Sequence, residues 1–261
     1  MSLHVESRGR GRDLVMLHGW GMHSGVWGTC HERLASRYRV TLVDLPGHGR
    51  SSFSGAEMRT LSSLAAAIAE VVPAGAIWLG WSLGGMVALR AATDLGKRVA
   101  GLVVVATNPS FVRRSGWPWA QEAEVLDGFA RDLEREYRGL LLRFLALQTR
   151  GSEGAHPQLR ILRKQLFSYG KPDLRALAAG LELLKRCDLR RELPTLALPA
   201  LVVAGSNDTL VPAEAAVRLA GLLANARLEV IAGAGHAPFL SHPDSFCEQV
   251  EAFIDGRISA G

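Results

Sequence analysis

Apolar residues in this chain fall into two alternating patterns. Short, mostly apolar runs occupy 14–17, 38–43, 76–79 and 99–105, each ending in a turn that holds glycine, proline or asparagine. Runs of this kind, rich in Val, Ile and Leu, predict strands buried on both faces of a mostly parallel sheet. Between them, roughly 60–72 and 84–95 carry apolar residues at helical spacing. From about 111 to 187 the rhythm changes. No strand-like run appears there, and apolar positions recur with a helical period at Val125, Phe129, Leu133 and Tyr137, then at Leu140, Phe144 and Leu147. Strand and helix then alternate again: 200–204, 212–223 with proline at its start, 228–231, and a closing helix over 242–258. The predicted fold class is α/β. A mostly parallel sheet flanked by helices is built from 1–110 and 188–261, and a helical lid is inserted at 111–187.

Composition narrows the setting. No apolar run approaches the roughly 18 residues that cross a bilayer, and the start, M-S-L-H-V-E-S-R, has no apolar signal region. Cys30, Cys187 and Cys247 are odd in number and far apart, which fits reduced thiols rather than a disulfide framework or a metal site. A cytoplasmic protein without membrane attachment is expected, and a monomer. The net charge of +5 is concentrated: residues 111–186 hold 14 Lys/Arg against 9 Asp/Glu, and the remainder holds 16 of each. With no recognition motif beside it, this excess does not indicate nucleic-acid binding. Neither a phosphate loop nor a metal-ligand cluster is present, so no cofactor and no metal are expected.

The chemistry is carried by Gly80-Trp81-Ser82-Leu83-Gly84, a G-x-S-x-G run between a predicted strand and a predicted helix. A serine used as nucleophile must stand on a sharp turn with its hydroxyl presented outward, and glycines on either side leave the turn room. Serine is a poor nucleophile without a base. Among eight histidines, His236 follows the last predicted strand, at the sheet edge where open α/β sheets place their chemistry. His18 and His48 precede Ser82, against the order Ser, acid, His, and His242 reads as a helix-start residue. Asp208, in Gly205-Ser206-Asn207-Asp208 after the strand at 200–204, is the candidate acid, and Asp188 is a weaker rival with no strand before it. The backbone N–H of Leu83 and that of Trp20, in His18-Gly19-Trp20-Gly21, are the candidate oxyanion donors.

H-G-W-G, D-L-P-G-H-G-R-S, G-W-S-L-G-G, G-S-N-D and G-A-G-H-A-P occur in this order along nearly the whole chain. This set resembles the α/β-hydrolase superfamily. With F-L-A-L-Q-T, D-L-R and H-A-P-F-L-S-H-P added, it closely resembles the pimeloyl-[acyl-carrier protein] methyl ester esterases of biotin biosynthesis. The resemblance implies an α/β-hydrolase fold and a carboxylesterase that removes the methyl group of a carrier-bound ester. It also implies a substrate site made of Trp20, Ser82, Leu83, Phe144, Leu145, Ala146, Leu147, Gln148 and His236. The family docks its acyl-carrier protein through lid arginines. Arg143 and Arg160 match two of those positions, Gly139 and His156 stand at two others, and Arg138 or Arg163 could take their place. Two further readings remain open. One keeps the triad for small free esters, thioesters or lactones; the other is a non-catalytic ligand-binding protein on the same fold.

Overall fold

The structure is a computed structural model that describes residues 2–258. Seven strands form one sheet: β1 Val5–Arg8, β2 Asp13–Leu17, β3 Arg39–Val43, β4 Ala76–Trp81, β5 Val99–Val105, β6 Ala200–Gly205 and β7 Ala226–Ile231. Their order is β1-β3-β2-β4-β5-β6-β7. Only β1 runs antiparallel, pairing Val5 with Val43 and Arg8 with Val40; every other neighbour pair is parallel. The predicted runs became strands because their residues are sealed on both faces. All six residues of β4 are buried, as are all six of β6.

Helices α1 Gly28–Ala35, α2 Leu61–Ala69, α3 Leu83–Leu95, α7 Ala213–Leu222, α8 Pro238–Ser241 and α9 Pro243–Arg257 belong to the sheet layers. Helix α2 starts on a reciprocal cap in which Thr60 and Ser63 satisfy each other's backbone N–H. The closing helix predicted over 242–258 is α9, and the short α8 precedes it. His242 leaves helical geometry (φ −134°, ψ 59°) before Pro243 opens α9, because proline blocks continuation of a preceding helix but suits a first turn.

Between β5 and β6 stand α4 Ala123–Thr149, α5 Ala155–Leu166 and α6 Leu174–Arg186; residues 111–187, which contain them, are here called the cap. Helix α4 breaks at Glu136 (φ −153°, ψ 71°), beside Tyr137, where one predicted apolar pattern ends and the next begins. The strands reverse direction of growth between β2 and β4: β3 lies to one side of β2, and β4 and all later strands lie to the other. A crevice at the carboxyl ends of the strands belongs at such a switch point. The loops after β2 and β4 open onto it.

Candidate active site

Ser82 joins β4 directly to α3, with no loop between them, and its backbone sits at φ 55°, ψ −116°. A non-glycine residue there carries strain of about 1–3 kcal/mol, held only if the surroundings over-determine it. They do. The Ser82 N–H donates to Val105 O at 2.9 Å, and its carbonyl accepts from Gly85 N at 3.0 Å and from Thr107 Oγ1 at 3.3 Å. The flanking glycines are required by close approach. A side chain on Gly84 would overlap the carbonyl oxygen of Leu17 and stand 2.6 Å from that of His18, and one on Gly80 would collide with the backbone of Gly84.

His236 follows β7, and Asp208 follows β6. His236 Nδ1 and Asp208 Oδ2 are 2.8 Å apart, with both side chains almost wholly buried. A carboxylate oxygen accepts, so Nδ1 carries the proton, and in the neutral ring that leaves the lone pair on Nε2. Asp208 Oδ1 accepts from the N–H of Leu210 at 2.8 Å and of Val211 at 2.9 Å, which fixes the carboxylate from its other side. The backbone of His236 is also clamped. Its N–H donates to Gln148 O at 3.1 Å, and Trp81 Nε1 donates to its carbonyl at 2.8 Å. Two further bonds tie the turn after α4 to the same loops: Glu153 N–H to Gly233 O at 2.9 Å, and Asn207 Nδ2 to Gly151 O at 2.8 Å.

The loop after β2 lies against the serine turn. A methyl group on Gly19 would come within 3.3 Å of Ser82 Cβ. The Trp20 N–H has no acceptor among the described residues, and Leu83, as the first residue of α3, has no intrahelical partner for its own. His18 sets the loop's shape. Its Nδ1–H donates to Gly19 O at 2.8 Å, and its Nε2 accepts from Leu45 N at 2.9 Å. That pattern needs a neutral ring, and burial, reinforced by His48, pushes the His18 pKa well below the ordinary value. Beside it, buried Asp44 stays ionised. Its burial is outweighed by the N–H groups of Ser24 at 2.7 Å and Arg50 at 2.9 Å, so its pKa is lowered.

Ser82 and His236 open into one cavity of about 430 Å³, counting its mouth. Its other walls are Trp20, Phe111, Gln121, Val125, Leu126, Phe129, Phe144, Leu181, Leu184 and Leu210, so it is apolar apart from Gln121 and the two site residues. Trp20 and Phe144 meet edge-to-face at 5.0 Å, and Phe129 meets Phe144 likewise at 5.8 Å. Such a pocket suits an acyl chain more than a polar ligand. Among the described residues, neither the Ser82 hydroxyl nor His236 Nε2 has a hydrogen-bond partner. Bonds of this kind often tighten only when substrate is bound.

A strained serine at a strand-to-helix turn, backed by a buried His–Asp pair from loops further along the sheet, is the arrangement of one large fold family. Residues 14–249 match it. The chain belongs to the alpha/beta hydrolase family. Among curated relatives, the pimeloyl-[acyl-carrier protein] methyl ester esterase of Xanthomonas oryzae pv. oryzae is 48% identical over 97% of this chain and 98% of its own length. The enzyme of that name from Stenotrophomonas maltophilia is 45% identical over 99% and 98%. Among solved structures, an esterase from Exiguobacterium antarcticum superposes with a TM-score of 0.88, at 25% identity, over 97% of this chain and 96% of its own.

Within this alpha/beta hydrolase, the residues picked from sequence are not all together. Trp20, Ser82, Phe144 and His236 border the cavity, and Leu83 brings its amide to the serine turn. Leu145, Ala146, Leu147 and Gln148 do not border it. Leu145 is fully buried in the core and Ala146 is exposed, because consecutive helical residues point about 100° apart and cannot share one wall. Gln148 reaches the site through its carbonyl, on His236 N. Asp188, the rival acid, pairs instead with Arg190 at 2.7 Å.

Sequence reasoning did not find Phe111, Gln121, Leu126, Leu181, Leu184 and Leu210 as walls, nor Trp81 as the brace of His236. Their apolar or turn positions carry no signal of which way they face. Arg138, Arg143, Arg160 and Arg163 are all exposed on the cap. Arg143 pairs with Asp132 at 2.6 Å, and the Arg138 guanidinium lies 5.0 Å from the Phe167 ring centroid. Gly139 and His156 are on the same two helices. Among the described residues no helix is long and apolar enough to cross a membrane, and no cluster of three metal-ligating side chains occurs.

Proposed function

We propose that this protein hydrolyses the methyl ester of pimeloyl-acyl-carrier protein in biotin biosynthesis. Ser82, His236 and Asp208 form the catalytic triad. Ser82 Oγ attacks the ester carbonyl while His236 Nε2 takes the hydroxyl proton, and Asp208 stabilises the imidazolium that results. The N–H groups of Leu83 and Trp20 receive the developing oxyanion, each worth about 3 kcal/mol in the transition state. The tetrahedral intermediate collapses, and His236 returns the proton to the departing methanol. Water, activated by the same imidazole, then releases the free carboxylate and restores Ser82.

The buried His236–Asp208 bond beside the strained Ser82 turn is the observation that carries the mechanism. The full-length similarity to esterases of carrier-bound pimeloyl methyl ester supports the substrate, and the apolar cavity suits its chain. The cap, residues 111–187, would act as the lid. Its basic excess suits an acidic carrier, with Arg138, Arg143, Arg160 and Arg163 as docking residues; such charges act mainly on association and weaken with salt. In this reading the enzyme is cytoplasmic and monomeric and needs no cofactor.

The test is kcat/KM for methyl pimeloyl-carrier protein against free dimethyl pimelate over a range of salt. A strong preference for the carrier-bound ester, shrinking as salt rises, is expected. Equal or faster turnover of the free ester would make the protein a general esterase and remove the docking role of the arginines.

A further inference from the structure

The geometry points to Gln121, a cap residue, as a positioning residue for the triad acid, acting through the two peptide groups that hold Asp208. This inference rests on the triad reading above. The Gln121 amide stands opposite two backbone carbonyls, Leu210 O at 2.8 Å and Thr209 O at 3.3 Å. Carbonyls only accept, so the side-chain nitrogen must be the atom that faces them. The peptide joining Leu210 to Val211 then has its C=O bound by Gln121 and its N–H bound to Asp208 Oδ1. The peptide joining Thr209 to Leu210 is held in the same way, its C=O by Gln121 and its N–H by Asp208 Oδ1.

Both amides that hold the carboxylate are therefore spanned by one cap side chain. A donor on a carbonyl polarises the peptide and strengthens its N–H as a donor, so the chain of bonds is cooperative. It also fixes the orientation of both peptide planes, and with them the position of Oδ1. Gln121 is itself held at both ends of its backbone. Its N–H donates to Phe111 O at 3.0 Å, and its carbonyl accepts from Arg113 N at 2.9 Å. The side chain thus starts from a fixed bridge between residues 112 and 121 rather than from a free loop. Through it the cap holds the acid of the core.

The test is a double-mutant cycle on hydrolysis of a p-nitrophenyl acyl ester. Gln121→Met keeps the length and removes both donors; Gln121→Glu keeps the shape and replaces donors with acceptors, and serves if the first variant misfolds. In the wild-type background each should lower kcat about tenfold with little change in KM. In an Asp208→Ala background the same change should cost no more than about twofold, because the group through which Gln121 acts is already gone. An equal loss in both backgrounds, a loss carried by KM, or no loss in wild type would overturn the proposal. Undiminished activity of Asp208→Ala alone would instead remove the triad reading, and this inference with it.

Discussion

Replacing Asp208 by Asn separates the shape of the acid from its charge, and the structure dictates how the new side chain must sit. Oδ1 accepts two N–H donors, from Leu210 at 2.8 Å and Val211 at 2.9 Å. Only the oxygen of an asparagine can occupy that position, so its NH2 group must face His236 Nδ1, where Oδ2 now lies at 2.8 Å. An NH2 donor there demands a lone pair on Nδ1. The imidazole proton moves to Nε2, and the ring can no longer accept from Ser82. No flip of the amide escapes this, since the reverse orientation would set the NH2 group against two N–H donors. Loss of base function through a wrong tautomer lowers kcat by about ten-thousand-fold, or about 5.5 kcal/mol. The fold should survive, because the volume is unchanged and each backbone donor keeps an acceptor. The assay is kcat for a p-nitrophenyl acyl ester at neutral pH, with thermal unfolding as the control. A loss smaller than about tenfold with the fold intact would refute the assignment of Asp208 as the group that sets the His236 tautomer.

Three other outcomes follow from the same geometry. Gly84→Ala should cost about 1–3 kcal/mol of stability and displace the serine turn from the Gly19-Trp20 loop. Urea unfolding and esterase assays would show both losses, and an active variant of normal stability would contradict the close approach. Phe144→Ala removes a ring wedged between Trp20 and Phe129 at one wall of the cavity, and should lower stability by about 3 kcal/mol while raising KM for long acyl esters more than for acetyl esters. A KM change that is the same for both would place Phe144 outside the acyl site. His18, His23 and His48 all have pKa values held down in the fold, burial being the first cause for each. The unfolded chain binds more protons below about pH 6.5, so their contribution is complete above that value and is lost as pH falls toward the depressed folded values. The unfolding temperature should therefore decline between about pH 7 and pH 5, with a shallower slope in His18→Gln; a flat profile would mean these rings titrate normally.

What could be read from the sequence follows from how strongly burial constrains each segment. Strands sealed on both faces, such as β4 and β5, announce themselves as unbroken apolar runs. The edge strands do not. β1 reads V-E-S-R and is half exposed, and it gave no signal. β7 reads A-R-L-E-V-I with a single buried residue, and only its apolar end was detected. Helix α1 escaped because only Cys30 and Leu34 of its eight residues are buried, too few to show a period. The site was legible where covalent geometry forces residue type: glycines pressed against backbone at the Ser82 turn, and acid and base each placed just after a strand. The cavity was not, because its walls come from the 106–122 segment, α4, α6 and the loop after β6. An apolar residue there has the same sequence signature whether it faces a void or a packed core. Gln121 was invisible for a related reason: its partners are backbone carbonyls more than eighty positions away.

In the proposed reaction Ser82 removes methanol from a carrier-bound ester. Methanol release from methyl pimeloyl-carrier protein by wild-type enzyme and by Ser82→Ala, with the mass of the carrier followed in parallel, puts this to the test in one experiment. Methanol is expected in step with loss of one methylene from the carrier in wild type, and neither in Ser82→Ala although that variant still binds the carrier. Methanol release by folded Ser82→Ala at the wild-type rate would contradict it, as would wild-type release of the whole acyl chain from the carrier instead of the methyl group.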